Sequence, residues 1–327
     1  MTWEQELSTA FRSIEELVKE GFLTEEGVEQ ASLVSKKYQF LLPRYYASLI
    51  DKKDPFCPIR LQAIPQGVEV MTGEGGASDP LQDLKYQPVE RITHRYKNRV
   101  LLHLTPNCSM YCRFCFRKSL LNELKPDLFS GALEQALKYI EKESEVKEVI
   151  FSGGDPLMVR EETIKKVLRG IAQISHVKRV RFHTRVPVTF PSRITASLVE
   201  SLSGTRFKPV VVTHFNHPKE ITTESSKAIL ELKKGTTLLN QSVLLKRVND
   251  SSETLVELSE KLFELGILPY YLHQLDSAQG TQHFYVEVEE GRRIWREMRS
   301  ELPGYLVPRY VIDIVGDPFK QDVIALD

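Results

Sequence analysis

The sequence predicts an α/β protein whose centre is a partial, TIM-like barrel of six β/α units. Between residues 95 and 275, short apolar segments alternate with longer segments in which apolar residues recur at helical spacing. Six such units in succession predict parallel strands joined by right-handed crossovers, closed fully or partly into a barrel. A helical cap is predicted before the barrel and a short α+β segment after it.

The segments on either side of the barrel differ from it in pattern. Residues 1–94 are predicted to form the cap and a mostly irregular connector, because WEQELSTAFRSIEELVKEGF has helical spacing whereas residues 54–94 are rich in Pro, Gly and Asp. Residues 276–327 contain one clear helix, VEEGRRIWREMRSEL, and then the strand-like YLVPRYVIDIVGD. We treat this last segment as a separate C-terminal unit.

The barrel itself, residues 95–275, contains six predicted strands. They are RVLLHLT (99–105), EVIFSGG (148–154), RVRFHTR (179–185), PVVVTHF (209–215), TLLNQSVLL (237–245) and LPYYLHQL (268–275). The predicted helices between them are LEQALKYIEKE, ETIKKVLRGIAQI, ITASLVESL, ESSKAILELKK and SETLVELSEKLFELG. In barrels of parallel strands, functional groups gather at the C-terminal ends of the strands. We therefore expect the active site at that end.

Charge and hydropathy disfavour several classes of function. The 327 residues include 44 Lys and Arg and 44 Asp and Glu, without a block of like charge, which argues against an electrostatic nucleic-acid or membrane binder. The N-terminus is charged throughout, and no apolar run is long enough to span a membrane. We expect a cytoplasmic protein, in a compartment that keeps its thiols reduced.

Three of the four cysteines lie in CSMYCRFCFRK, directly after the first predicted barrel strand. Cys108, Cys112 and Cys115 share this loop with Asn, Ser and Arg, so they do not form one buried apolar face. Structural zinc generally needs four ligands, and the sequence offers only the distant Cys57 or His103, on the strand itself. Three thiolates suit a four-iron cluster with one iron left open to bind a small molecule, and zinc stays as the alternative.

A CxxxCxxC loop after the first strand of a six-unit β/α chain resembles the radical S-adenosylmethionine (SAM) superfamily. The resemblance implies a 4Fe–4S cluster, held by the three cysteines, whose open iron chelates SAM and whose electron cleaves it to a 5′-deoxyadenosyl radical. FSGGDPL, after the second predicted strand, would alone be a tight turn. Beside the cluster loop it resembles the superfamily segment that holds SAM. The SAM-binding residues implied are Phe114, Ser152, Gly153, Gly154 and Asp155.

Several motifs in order, from about residue 40 to the end, resemble the lysine 2,3-aminomutase family. They are HRYKNRVLLHLTPNCSMYC, FSGGDPL, RITASLVE, THFNHPKEIT, LLNQSVLLKRVND, PYYLHQLDSAQGTQHF and GYLVPRYVIDIVGDPFK. The resemblance implies pyridoxal 5′-phosphate (PLP) as the carrier of an amino group that migrates from carbon 2 to carbon 3 of an amino acid. It also implies that SAM is regenerated.

The same resemblance implies the residues that hold PLP. Lys320, in VGDPFK, matches the lysine that would bind PLP covalently, and Arg95 matches the phosphate-binding arginine. His273 stands where the family often has a tyrosine beside the pyridine ring. The sequence departs from the family before Lys320, where residues 317–319 are Asp, Pro and Phe instead of a glycine-rich stretch.

Substrate recognition needs opposite charges at the two ends of an amino acid such as L-lysine. Arg117 matches the arginine for the α-carboxylate, and Asp276 and Asp313 match the carboxylates for the ε-ammonium. Two buried carboxylates repel each other unless a cation lies between them, so a bound ammonium is a natural partner. Gln241, in LNQSVLL, is a further polar contact expected for SAM.

Within the family, the sequence favours the branch that supplies (R)-β-lysine for modification of elongation factor P. CFRK, PYYLHQLD, the GDPFK ending and the chain end soon after Lys320 favour this branch over the metabolic lysine 2,3-aminomutases. The partners implied are L-lysine, a reductant such as flavodoxin or ferredoxin, and indirectly elongation factor P and its lysine ligase. The apolar helical N-terminus could serve a homodimer.

Two other hypotheses stay open from the sequence. One is a non-enzymatic zinc-binding module that contacts protein or RNA, which the balanced charge and the missing fourth ligand disfavour. The other is a radical SAM enzyme of different substrate whose PLP segment has decayed, which the altered loop before Lys320 allows. It predicts that Lys320→Ala would leave activity intact.

Overall fold

A computed structural model of the chain describes residues 2–71, 75–122 and 132–326, so residues 72–74 of the predicted connector lie outside the described residues. Within these ranges, nine strands form one sheet whose order follows the chain. The strands are β1 (Ile92–Tyr96), β2 (Arg99–Thr105), β3 (Glu148–Gly153), β4 (Arg179–His183), β5 (Val210–Thr213), β6 (Thr237–Val243), β7 (Leu268–His273), β8 (Arg309–Ile312) and β9 (Gln321–Asp322).

The middle of this sheet is parallel and its two edges are antiparallel. Strands β2 to β8 are parallel neighbours, whereas β1 pairs antiparallel with β2 and β9 pairs antiparallel with β8. The predicted α/β architecture is confirmed, with the six predicted strands as β2 to β7. The strand-like tail supplies β8, so the sheet continues beyond the predicted boundary at residue 275.

Strand β1 was not predicted and lies across the predicted boundary between connector and barrel. Its sequence, ITHRY, carries two basic residues in five and has no apolar alternation. Its antiparallel pairing with β2 sets Ile92 opposite Leu102. The strand therefore depends on a neighbour later in the chain rather than on its own propensity.

Helices cover the N-terminal region and the connections between strands. The cap contains α1 (Trp3–Ser8), α2 (Ile14–Lys19), α3 (Glu25–Lys37), α4 (Arg44–Ser48), α5 (Pro58–Ala63) and α6 (Val68–Met71). The remaining helices are α7 (Ala132–Lys142), α8 (Glu161–Gln173), α9 (Val186–Thr189), α10 (Ala196–Ser203), α11 (Thr223–Lys233), α12 (Ser252–Glu264) and α13 (Val288–Glu301). Helices α5 and α6 interrupt the predicted irregular connector, and α5 starts on a proline because its first turn needs no backbone donor there.

Alternation along the strands separates the main core from the polar interior of the sheet. In β4, Val180 and Phe182 are fully buried in the core that includes the helices, and Phe182 stacks on Phe151 of β3 at 4.3 Å between ring centroids. Arg181 and His183 occupy the alternate positions and so face the other side of the sheet. That second side carries the polar groups of the site.

The two edges of the sheet approach each other through side chains. Tyr96, at the end of β1, donates its hydroxyl hydrogen to Asp313, just after β8, at 2.7 Å. Arg95 donates to Asp313 at 3.5 Å and also bonds the carbonyl of Ile314. The strand order contains no pairing of β1 with β8 or β9 among the described residues, so side chains rather than backbone bonds join these edges. This arrangement fits the predicted partial barrel.

A buried ion network joins the cap to the cysteine loop. Glu69 of α6 is bonded by Arg113 at 2.5 Å and by Lys118 at 2.7 Å, and its side chain is fully buried. Burial alone raises the pKa of Glu69, but Arg113 and Lys118 hold it below its ordinary value. Lys118 also donates to the carbonyl of Gly280, which follows β7. Cap, cysteine loop and C-terminal segment are thus joined through Glu69 and Lys118.

We expect Glu69→Gln to destabilise the protein by about 3 to 5 kcal/mol, because it leaves two buried cations without their anion. Equilibrium unfolding in urea measures the change. Glu257→Gln is the matched control: Glu257 pairs with Lys261 at 2.7 Å on the surface of α12, where an ion pair contributes little. Equal urea midpoints for Glu69→Gln and the wild type would show that the network does not hold these segments together.

Candidate active site

The three clustered cysteines lie at the C-terminal end of β2, as the barrel prediction requires. The cap supports their loop through the backbone: Tyr111 donates to the Leu41 carbonyl at 3.3 Å and Arg113 to the Gln62 carbonyl at 3.0 Å. Within the loop, the Cys115 amide donates to the Cys112 carbonyl at 3.2 Å, which turns the chain. The loop therefore has its shape fixed by partners on both sides.

The three clustered cysteine thiols influence one another's ionisation. Burial raises the pKa of Cys108 well above its ordinary value, and Asp155 and the other two cysteines raise it further. Burial and the neighbouring Cys112 raise the pKa of Cys115 to about 11. Clustered thiols of this kind become thiolates when a cationic centre binds them. The donor set thus suits an iron–sulfur cluster, although no described residues converge as ligands of a single metal ion.

Arg185, at the C-terminal end of β4, is a polar partner of this pocket that the sequence analysis missed. It donates to Cys112 Sγ at 2.8 Å, and to Gln62 and Glu220 at 2.6 Å each. Although burial disfavours its charge, Cys112, Tyr46 and Glu220 raise its pKa above the ordinary value. Its position at a strand end was the signal available in the sequence.

The Gly153–Gly154 pair lies directly under the cysteine loop. The Gly154 amide donates to the Thr105 carbonyl at 2.6 Å, and Gly153 has a φ of +111°, which favours glycine. A Cβ atom on Gly154 would lie 2.4 Å from the carbonyl oxygen of Asn107, next to Cys108. The glycines thus allow β3 to approach the start of the loop closely.

Other residues predicted to bind SAM have partners within the chain. The Asp155 carboxylate accepts the Leu157 amide at 3.0 Å, the Thr184 hydroxyl at 2.7 Å and the Arg185 amide at 2.7 Å. Phe114 is buried against His214 at 5.5 Å between ring centroids. Gln241 lies on β6, opposite Tyr271 of β7. Asp155 therefore organises the loop after β3, and a contact from it to SAM stays a prediction.

The two predicted substrate carboxylates lie close enough to interact and have opposite pKa shifts. Burial and the charge of Asp313 together raise the pKa of Asp276 to about 7. Burial alone raises the pKa of Asp313 as well, but Lys320, His273 and Tyr96 hold it below the ordinary value. Asp313 is therefore ionised at neutral pH, whereas Asp276 is only partly ionised.

Lys320 lies beside the ionised carboxylate. Its ammonium pairs with Asp313, which Arg95 and Tyr96 also contact. Two of the residues predicted to hold PLP, Arg95 and Lys320, thus meet at Asp313. The third, His273, is buried, and burial and the charge of Lys320 lower its pKa to about 3. The side chains of Arg95 and Asp313 are 8% and 7% exposed, so their charges act in a largely dry environment.

Arg117, predicted to bind the substrate carboxylate, has a partner that the sequence analysis missed. Its Nε donates to Asp83 at 2.8 Å, and its Nη1 donates to Ser152 at 3.4 Å. Burial alone raises the pKa of Asp83, but Arg117, His103 and Arg95 hold it below its ordinary value. Asp83 belongs to the connector, where nothing in the sequence marks it as a partner of the cysteine loop.

A third residue missed in the sequence is His183, at the end of β4. Burial lowers its pKa well below the ordinary value, and Arg181 and Lys320 lower it further. Its buried Nε2 has no hydrogen-bond partner among the described residues. A neutral imidazole next to Lys320 and His273 can donate or accept one hydrogen bond to a bound molecule.

Comparisons with known proteins agree with this geometry. The pattern of the Radical SAM superfamily matches residues 102–269. The chain is 40% identical over 319 residues to the L-lysine 2,3-aminomutase of Haemophilus influenzae, which covers 97% of this chain and 94% of that protein. It is 39% identical over 324 residues to the L-lysine 2,3-aminomutase of Clostridium subterminale, which covers 98% of this chain and 77% of that protein. In the described part of the chain, no helix has both the length and the apolar character needed to cross a membrane.

Gly154→Ala tests whether the glycine pair fixes the cysteine loop. Because the new Cβ would overlap the Asn107 carbonyl, we expect the loop to shift and the iron content after anaerobic reconstitution to fall severalfold. Gly304→Ala is the matched control, since a Cβ there meets no atom within 4 Å. Unchanged iron and sulfide content in Gly154→Ala would contradict this role of the glycine.

Proposed function

We propose that this chain converts L-lysine to β-lysine with PLP as the amino-group carrier. The chain belongs to the radical SAM superfamily and, within it, to the lysine 2,3-aminomutases. The chain is thus an isomerase. We propose further that the product is (R)-β-lysine for modification of elongation factor P. The motifs CFRK and PYYLHQLD support this branch.

The observation that carries the substrate assignment is the pair of buried carboxylates beside Lys320. Asp276 and Asp313 raise the free energy of each other's ionised form, which a cation placed between them would relieve. In the ligand-free chain, the Lys320 ammonium pairs with Asp313. The ε-ammonium of a bound lysine has the same charge and hydrogen-bond donors, so it can replace this partner. A glutamate substrate would bring a third carboxylate and be repelled.

At the other end of the substrate, we propose that Arg117 binds the α-carboxylate. A guanidinium has five N–H donors, and Asp83 and Ser152 accept from two of its nitrogens. Asp83 thereby fixes the orientation of the guanidinium. The distance between Arg117 and the Asp276–Asp313 pair would then select substrates by the length between carboxylate and ammonium.

The residues present also fit the cofactors. Cys108, Cys112 and Cys115 would hold the cluster, and Lys320 would hold PLP with Arg95 near its phosphate. When bound, the cluster and SAM supply one-electron chemistry, and PLP carries the migrating amino group. In the ligand-free chain the Lys320 Nζ pairs with Asp313, so Lys320 would have to leave this carboxylate to hold PLP.

The location, electron donor and oligomeric state of the enzyme are further parts of the proposal. We propose a cytoplasmic enzyme that receives electrons from flavodoxin or ferredoxin and that acts as a homodimer. Its link to elongation factor P would be indirect, through the lysine ligase that uses β-lysine. The balanced charge of the chain, 44 basic and 44 acidic residues, supports a small-molecule substrate rather than a nucleic acid.

The direct test is anaerobic reconstitution with iron and sulfide, followed by PLP, SAM, dithionite and L-lysine. We expect (R)-β-lysine by chiral chromatography, whereas the (S) product would favour the metabolic branch. Absence of β-lysine from a protein with an intact cluster would refute the substrate.

Substitutions of Asp313 and Lys320 test the roles proposed for these two residues. Lys320→Ala and Asp313→Asn are each expected to lower turnover at least about 1000-fold, because they remove the PLP attachment or the ammonium partner. Asp322→Asn is the control, since Asp322 pairs with Arg309 at the protein surface. Full activity in Lys320→Ala would favour the decayed-PLP hypothesis.

The raised pKa of Asp276 predicts a pH dependence of lysine binding. The ε-ammonium, with an ordinary pKa of about 10.4, stays charged between pH 6 and 8. Asp276 is mostly ionised only above its pKa of about 7. The affinity for lysine should therefore rise as the pH is raised from about 6 to about 8. Titration of the PLP absorbance measures it, with L-norleucine as the ligand that lacks the ammonium. An equal pH dependence for the two ligands would contradict the role of Asp276.

A further inference from the structure

Tyr96 lies at the edge of β1 and reaches across the open side of the sheet. Its hydroxyl donates to Asp313 Oδ1 at 2.7 Å, although the two residues are 217 positions apart. The guanidiniums of Arg95 and Arg99 lie 5.5 and 4.5 Å from the centroid of its ring. A cation near an aromatic ring is attracted to it, so both guanidiniums favour this position of the ring. The hydrogen bond to Asp313 and these two contacts together orient Tyr96.

The two oxygens of Asp313 have different partners. Oδ1 accepts from Tyr96 and, at 3.5 Å, from Arg95, and both belong to β1. Oδ2 pairs with the ammonium of Lys320. Rotation of the carboxylate would exchange these oxygens, and the bond from Tyr96 opposes that rotation. Oδ1 thus bonds residues of β1, and Oδ2 bonds an ammonium.

Asp313 is also the carboxylate on which recognition of a cation depends at neutral pH. Asp276 is only partly ionised there, because burial raises its pKa to about 7. Tyr96 and Lys320 together favour the ionised form of Asp313. When Lys320 is occupied by PLP, Tyr96 stays as a neutral donor to the same carboxylate.

We propose that Tyr96 is a positioning residue that orients Asp313 Oδ2 toward the ε-ammonium of the substrate and thereby sets the preference for lysine. This inference rests on the proposed function. It makes Tyr96 a determinant of specificity that does not itself contact the ammonium. A tyrosine that only joined the edges of the sheet would affect every ligand of the site equally.

The test is Tyr96→Phe in the holoenzyme reconstituted with cluster and PLP. Titration with L-lysine and with L-norleucine, followed by PLP absorbance without a reductant, gives two dissociation constants. We expect the constant for lysine to rise about tenfold, as when a hydrogen bond to a charged group is lost, and that for norleucine to change less than about twofold. Under turnover, KM for lysine should rise more than kcat falls.

Tyr139→Phe is the matched control. Tyr139 bonds through its hydroxyl with His94, the residue before Arg95, at 2.6 Å, so this variant removes a similar bond on the same strand outside the site. Both dissociation constants should stay at the wild-type values. A tenfold weaker binding of lysine in Tyr139→Phe would show that any disturbance of β1 suffices and would overturn the proposal.

A second background keeps the result interpretable. In Asp313→Asn, the dissociation constant of norleucine divided by that of lysine should be lower than in the wild type. Adding Tyr96→Phe to this variant should not change the ratio further, because Tyr96 acts through Asp313. Equal weakening of both ligands by Tyr96→Phe, or loss of PLP from that variant, would make Tyr96 a structural residue only. If wild-type protein bound norleucine as tightly as lysine, the ammonium site itself would be refuted, and the inference with it.

Discussion

The interior of this protein depends on buried charges that are neutralised by partners from distant parts of the chain. Glu69 of the cap is matched by Arg113 and Lys118 of the cysteine loop. Asp313, after β8, is matched by Lys320 and by the β1 residue Arg95. A buried ion without its partner costs several kcal/mol, so these pairs require the cap, the loop and the sheet edges to be in place together. Order in the site is therefore a property of the whole fold.

The sequence predicted the parts of the fold that depend on local pattern. Strands β2 to β7 were found because buried parallel strands are short apolar runs between helical segments. Strand β1 was not found, since its pairing with β2 is decided by a neighbour and not by its own residues. The same distinction holds for the site. The three cysteines, and the pair of Asp313 and Lys320, are close in sequence, whereas Asp83 and Arg117 are 34 residues apart.

Arg185 and Tyr96, which were missed from the sequence, contact other side chains of the site. Arg185 reaches Cys112 from 73 residues away, and Tyr96 reaches Asp313 from 217 residues away. Neither an arginine nor a tyrosine indicates such a role by its residue type alone. Their roles come from the curvature that brings strand ends together. Family resemblance located the groups expected to touch cofactors and substrate, and the structure adds residues that orient those groups.

Arg117 connects the two halves of the site. It follows the cysteine loop by two residues, donates to Ser152 beside the glycine pair, and is held by Asp83 of the connector. The same loop therefore determines both where the cluster would be held and where the substrate carboxylate would bind. A radical reaction requires the hydrogen to be removed from one carbon of a substrate held in one pose. A rigid link between the cysteine loop and the substrate-binding arginine meets that requirement, because a displacement of the loop would move both together.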